Sequence, residues 1–169
     1  MIVLAAGATY EPIATTTISS AVSVVTFSSI PSTYTDLVLV TNATAASARD
    51  VVIRINSDTG TNYSYTYLDG TGTAASSGRQ TSQTFQSLDN YGYLETGQGQ
   101  MLLAHFMNYA NTTTYKTTIS RSANSANGTS AVVGLWRSTS AINRIDIYAG
   151  TAMANITSGT FTLYGIAAA

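Results

Sequence analysis

Residues 27–43, Phe-Ser-Ser-Ile-Pro-Ser-Thr-Tyr-Thr-Asp-Leu-Val-Leu-Val-Thr-Asn-Ala, decide how the rest of the chain is read. Their second half, Thr35 to Thr41, is a short unbroken run of branched apolar residues, the pattern of a strand buried on both faces. Their first half predicts a corner. Pro31 fixes its own φ and pushes Ile30 toward an extended backbone, while the surrounding Ser and Thr favour a turn. The stretch is therefore expected to be a central strand entered by a tight bend.

Working outward, the apolar runs are short and Gly, Ser, Thr or Asn interrupts each of them. No apolar spacing of three and four residues persists for three turns, so helix is not expected. About ten strands are predicted. They cover residues 13–18, 22–27, 35–41, 50–56, 62–68 and, less clearly, 80–88 around Phe85; then 101–109, 115–121, 130–137, 142–149 and 160–166. Val22, Val24 and Thr26 share one face of the second. Tyr63, Tyr65 and Tyr67 alternate with polar partners, which predicts one wet face. Residues 69–78 and 90–100 read as loops on their Gly and small polar content. Met101 to Tyr109, MLLAHFMNY, is the second apolar run and the expected core partner of the central strand. Many short strands separated by turn signals predict an all-β antiparallel β-sandwich of jelly-roll type, with an immunoglobulin-like sandwich as runner-up.

The chain has 169 residues, 44% hydrophobic and only 9% charged, with a net charge of -1. Length and composition fit one domain, residues 11–169, with a core of its own. Lys116 is the only lysine, so there is no basic field for nucleic acid, which is held through several phosphate contacts. No cysteine is present, which excludes disulfides and thiolate metal sites. No run is long enough to cross a bilayer as a helix. Residues 1–10 are apolar but lack a positive residue ahead of the apolar part and a full-length h-region, so they are expected to form an N-terminal arm rather than a signal peptide. Ile2, Val3, Leu4 and Tyr10 are its candidate docking residues.

Chemistry-bearing residues are sparse. His105 alone titrates near neutral pH unaided, and no acid or Cys lies near it in sequence; a core or edge histidine is expected. The eight carboxylates, Glu11, Asp36, Asp50, Asp58, Asp69, Asp89, Glu95 and Asp146, are scattered singly, with no sign of the pair a glycosidase holds about 5 to 9.5 Å apart. Arg144 beside Asp146 reads as an ordinary ion pair. The turns around Asp58-Thr59-Gly60-Thr61-Asn62 and Asp69-Gly70 carry oxygen ligands suited to calcium but lack an EF-hand pattern, and turn formation is the expected role. Eleven tyrosines suit a protein interface ahead of a sugar-stacking platform. No catalytic residue, cofactor site or metal site is expected.

Several segments together carry a resemblance: residues 6–16 (AGATYEPIATT), Phe27 to Pro31 with Tyr34 to Leu39, Asn62 to Tyr65, Met107 to Lys116, and Thr160 to Ile166 (TFTLYGI). The chain resembles the small virion structural proteins of tailed bacteriophages. The resemblance implies a jelly-roll fold, a homotrimer, and a capsid decoration (cement) role on the capsid surface with the major capsid protein as partner. The alternative it implies is a tail fibre or tail-tip module that binds host glycan. It supplies no catalytic residues.

Overall fold

The structure, a computed structural model, describes residues 9–167. Its described residues form twelve strands and no helix: β1 (Tyr10–Ile18), β2 (Val25–Phe27), β3 (Asp36–Ala45), β4 (Val51–Ile55), β5 (Tyr63–Gly70), β6 (Ala75–Gln83), β7 (Gln86–Ser87), β8 (Gln100–Met107), β9 (Lys116–Asn124), β10 (Gly128–Trp136), β11 (Ile145–Ala149) and β12 (Ile156–Ile166). They build an eight-stranded sheet in the order β1-β12-β3-β8-β9-β10-β5-β6 and a four-stranded sheet in the order β2-β11-β4-β7. Every strand pairing is antiparallel. The two sheets enclose one apolar core, which makes the molecule a β-sandwich.

The run that opened the reading is β3, set inside the large sheet between β12 and β8. Leu37 and Leu39 enter the core with no exposed surface, while Val38 is buried on the opposite face between its register partners Tyr164 and His105. Apolar on both sides, this segment needs no alternation. The expected partner is the observed one, since β8 pairs with β3 from Leu37↔Phe106 to Ala43↔Gln100. The corner before β3 carries the chain from the small sheet to the large one. It is pinned by the Tyr109 hydroxyl, which donates to the Pro31 carbonyl, and by Ile30 N–H donating to Asn143 O at 3.0 Å.

Three expectations are corrected. Regular pairing in β2 begins at Val25, and Val22 makes only an isolated bridge to Ile156. Val25 and Phe27 are buried and Val24 is exposed, because Thr26 points the other way and donates its hydroxyl to Asp146 at 2.7 Å. Residues 69–78 are not a loop but most of a hairpin, closed by Thr71 N–H to Ala74 O at 2.9 Å with Gly72 at φ +85°. Ladder bonds to β5 need no apolar side chain, and β6 lies at the sheet edge with nearly every residue exposed, so its composition mimics a loop. The expected strand over 80–88 is split: β6 ends at Gln83, and the chain crosses to the small sheet as β7. Beside it Phe85 meets Tyr148 edge-on at 5.6 Å, with the Arg54 guanidinium 3.9 Å above its ring.

Candidate docking face on the large sheet

Strands β8, β9, β10 and β5 lie side by side, and strict alternation divides their side chains between the interior and one broad outer face. The outer rows read directly from the register. Val40, Leu103, Arg121, Ala131 and Leu68 form one row, and His105, Ile119, Val133, Thr66 and Arg79 form the next. Met101 and Met107 flank them on β8. Large apolar side chains stand open to solvent here: Leu68 64%, Met101 62%, Val133 52%, Ile119 49% and Met107 44% exposed. Exposed apolar surface of this kind makes the face a candidate for association.

The interior beneath this face explains why these residues point outward. On β9 the buried row is polar, Lys116, Thr118, Ser120, Ser122 and Asn124. From Ser120 to Asn124 it lies under the irregular chain between β7 and β8, where carbonyls outside the strand ladders need polar partners. Ser120 donates to Leu88 O at 2.6 Å and Asn124 to Tyr93 O at 2.9 Å. Ser130 on β10 accepts from Asn90 N at 3.1 Å and donates to Asp69 at 2.6 Å, while Asn90 Nδ2 donates to the other Asp69 oxygen at 2.7 Å. Lys116 is folded inward onto two carbonyls, Thr114 O at 2.8 Å and Thr139 O at 3.2 Å, and burial lowers its pKa. With the polar row consumed inside, Ile119 faces water.

Charge on the outer face is sparse and one-sided. Arg121 stands among Leu103, Ile119 and Ala131, and neither it nor Arg79 makes a hydrogen bond or ion pair among the described residues. The one acid at the rim, Asp36, is occupied. It accepts from Asn108 N at 2.6 Å and meets His105 Nε2 at 2.9 Å. Sequence reading found no acid near His105 because the two stand 69 positions apart and meet only through the β3–β8 register.

The remaining candidates are placed as follows. Ile2, Val3 and Leu4 lie outside the described residues. Tyr10, assigned to the arm, is instead the first residue of β1, paired with Ile166 and edge-on to the Tyr164 ring at 6.3 Å. Asp58 forms a structured turn: its carboxylate accepts from Gly60 N at 2.8 Å, Asn62 Nδ2 at 2.9 Å and Trp136 Nε1 at 2.7 Å. Burial would raise its pKa, but these three donors outweigh it and hold it below the usual carboxylate range. Asp146 is paired with Arg144 at 2.7 Å and also accepts from Thr26 and Ser57; again burial raises and the donors win, so its pKa is lowered. Folding does bring Asp50, Asp69 and Asp89 close enough to influence one another, a grouping with no trace in the sequence. Asp69 and Asp89 are buried. Among the described residues no group of three or more His, Cys, Asp or Glu could hold a metal ion. Of the tyrosines, Tyr63 and Tyr109 are core residues with no exposed surface, and Tyr91 and Tyr93 lie 5.4 Å apart on the covering segment.

No protein-family model matches the chain, and no curated protein is significantly similar to it.

Proposed function

We propose that this protein is a jelly-roll virion structural protein of a tailed bacteriophage, a capsid decoration (cement) protein that sits on the major capsid protein lattice as a homotrimer. The observation that carries the docking role is the outer face of the large sheet, apolar, solvent-open and centred on the unpaired Arg121. Such a face suits a protein partner that offers aliphatic surface around a carboxylate. It does not suit a face-to-face twofold copy of itself, which would oppose one set of unpaired cations to another. The strand order supports the topology. With the hairpins β5–β6 and β9–β10 set aside, eight strands remain in the orders β1-β12-β3-β8 and β2-β11-β4-β7, and the chain crosses between sheets at every step except β4 to β7, which pair within the small sheet, the path of two nested Greek keys.

We read the protein as non-enzymatic, since two of its three clustered acids, Asp69 and Asp89, are buried and serve as hydrogen-bond acceptors for the scaffold. The tail-fibre alternative, glycan binding, asks for a platform of exposed rings to stack on sugars. The strands of the outer face, β8, β9, β10 and β5, present no Tyr, Trp or Phe there, the exposed rings among the described residues being Tyr10 on β1 and Tyr115 just before β9. The test is the copy number of this protein relative to major capsid protein in purified virions, by quantitative mass spectrometry. A simple ratio is expected. A few copies per particle would move the protein to the tail, and absence from the particle would overturn the virion assignment.

A further inference from the structure

Asp89 lies in the segment that covers the polar interior, and it has no exposed surface. One of its oxygens, Oδ2, accepts from Val51 N at 2.9 Å and from Gln100 Nε2 at 2.5 Å. The other, Oδ1, has no partner, and neither has the Gln100 amide oxygen, also fully buried. Two acceptors are thus left without a donor, one on each of two groups already joined at their other ends. A carboxylate here would leave a buried charge half-solvated and a buried amide oxygen unsatisfied, each a costly arrangement.

One proton resolves both. We propose that Asp89 is held as the carboxylic acid, its Oδ1–H donating to Gln100 Oε1 while Gln100 Nε2–H donates to Asp89 Oδ2, a cyclic acid–amide pair that latches the covering segment onto the first residue of β8. The ring ties residue 89 to residue 100 across the loop between β7 and β8, above the row in which Ser120, Ser130 and Asn124 hold the same segment. The surroundings favour the neutral acid. Asp50 at the start of β4 and Asp69 on β5 raise its pKa, and Tyr93 faces the same cluster. Arg49 acts on Asp50, and among the described residues no Lys or Arg bonds to Asp89. Burial, the largest influence, pushes Asp89 up to about 8 against the donors Val51 and Gln100.

The consequence has a definite sign. The unfolded chain releases this proton at the ordinary aspartate pKa, near ~3.9, while the folded chain keeps it to about 8. Between those values the native state binds more protons, so stability falls as pH rises through the window and levels off above it. The latch is closed in acid and released in alkali.

The test is carboxyl NMR of the full chain labelled at its Asp and Glu carboxyl carbons, titrated from about pH 5 to 10, with the variant Asp89→Asn to assign the signal. One carboxyl still protonated at pH 6 and titrating near 8, absent from the variant, is the expected result. Asn presents an N–H where the acid presents its O–H, so the ring survives without a titrating proton. Denaturant unfolding should show the wild-type unfolding constant rising by up to about tenfold per pH unit between about pH 5 and 7, with a shallower rise in the variant. If Asp89→Asn does not fold, the wild-type titration decides alone. All carboxyls ionised at pH 6 would overturn the proposal. So would stabilisation of the wild type by added sodium or calcium ions, since the orphan oxygens would then be ligands of an ion.

Discussion

The two halves of the large sheet are built to opposite plans. In β12, β3 and β8 the inner residues are Phe161, Leu163, Leu37, Leu39, Leu102, Ala104 and Phe106, all buried against the small sheet. In β9 the inner row is Lys116, Thr118, Ser120, Ser122 and Asn124, and the apolar side chains of β9 and its neighbours, Ile119, Val133 and Leu68, face solvent. The difference follows from what lies opposite. Another sheet, with its backbone satisfied in ladders, offers only apolar side chains, whereas an irregular segment offers bare carbonyl and amide groups that must be bonded. The strands β12, β3 and β8 are therefore held by area removed from water and β9 by hydrogen bonds, while β10 and β5 combine the two, with Val132, Trp136 and Tyr63 buried beside Ser130 and Asp69. The spare apolar face left outside runs over β8, β9, β10 and β5.

Phe106→Ala attacks the first half where it is most efficient. Phe106 is 1% exposed within the main cluster, and its truncation is expected to cost about 3–5 kcal/mol in denaturant unfolding. A loss under about 1 kcal/mol would mean that the core does not distinguish the two halves. Asp58→Ala works at the far end of β10 and should cost about 1–3 kcal/mol by leaving the Trp136 N–H without its acceptor. It also carries a pH signature. Asp58 has a folded pKa below its unfolded one, so its contribution is present above the normal aspartate pKa and is lost as pH falls through the folded value. The variant should lose stability less steeply in acid than the wild type, and an unchanged acid limb would remove Asp58 from it.

Within the polar half the comparison sharpens to two neighbouring hydroxyls. Ser120→Ala leaves the Leu88 carbonyl without its donor and should destabilise by about 1 kcal/mol. Thr118 is buried beside it in the same row with a hydroxyl that has no partner, so Thr118→Val keeps the shape, removes the unsatisfied group and should be neutral or stabilising by up to about 1 kcal/mol. Opposite signs from two alternate positions of one strand would confirm hydrogen bonding to the covering segment as the organising force. The same sign for both would reduce the row to simple packing.

This division also explains how far the sequence could be read. The central strand, its corner and its pairing with the run at 101–109 were legible because burial on both faces writes an unbroken apolar string. Period was legible in β9 as well, with Tyr115, Thr117 and Ile119 alternating against Lys116, Thr118 and Ser120. Face was not, because the choice depends on residues 88–99, whose position is set by strands remote in sequence. β6 was hidden because an edge hairpin buries little, Asp36–His105 because register, not spacing, brings the two together, and Asp89–Gln100 because an irregular loop folds its two ends onto each other. The grouping of Asp50, Asp69 and Asp89 escaped notice for the same reason.

The smallest expected effect on stability belongs to the exposed face and discriminates most sharply between folding and docking. Ile119 and Val133 are register partners on β9 and β10, each about half exposed, so Ile119→Ser and Val133→Ser remove little buried area and each should change stability by no more than about 0.5 kcal/mol. Arg121→Glu, one row away, breaks no bond among the described residues and should be equally mild. Under the proposed decoration role, rebinding of the purified protein to virions stripped of it should nonetheless be lost in Arg121→Glu and weakened in the serine variants. That role asks for a partner carboxylate opposite Arg121, and a second carboxylate would repel it. Undiminished rebinding by all three would show that the face is spare surface, exposed only because the interior took the polar row, and would shift the docking role to residues 1–8 and the sheet edges. Loss of rebinding with unaltered unfolding would mean that the inversion of β9 serves both purposes, since the residues it turns outward to satisfy the covering segment are those the partner meets.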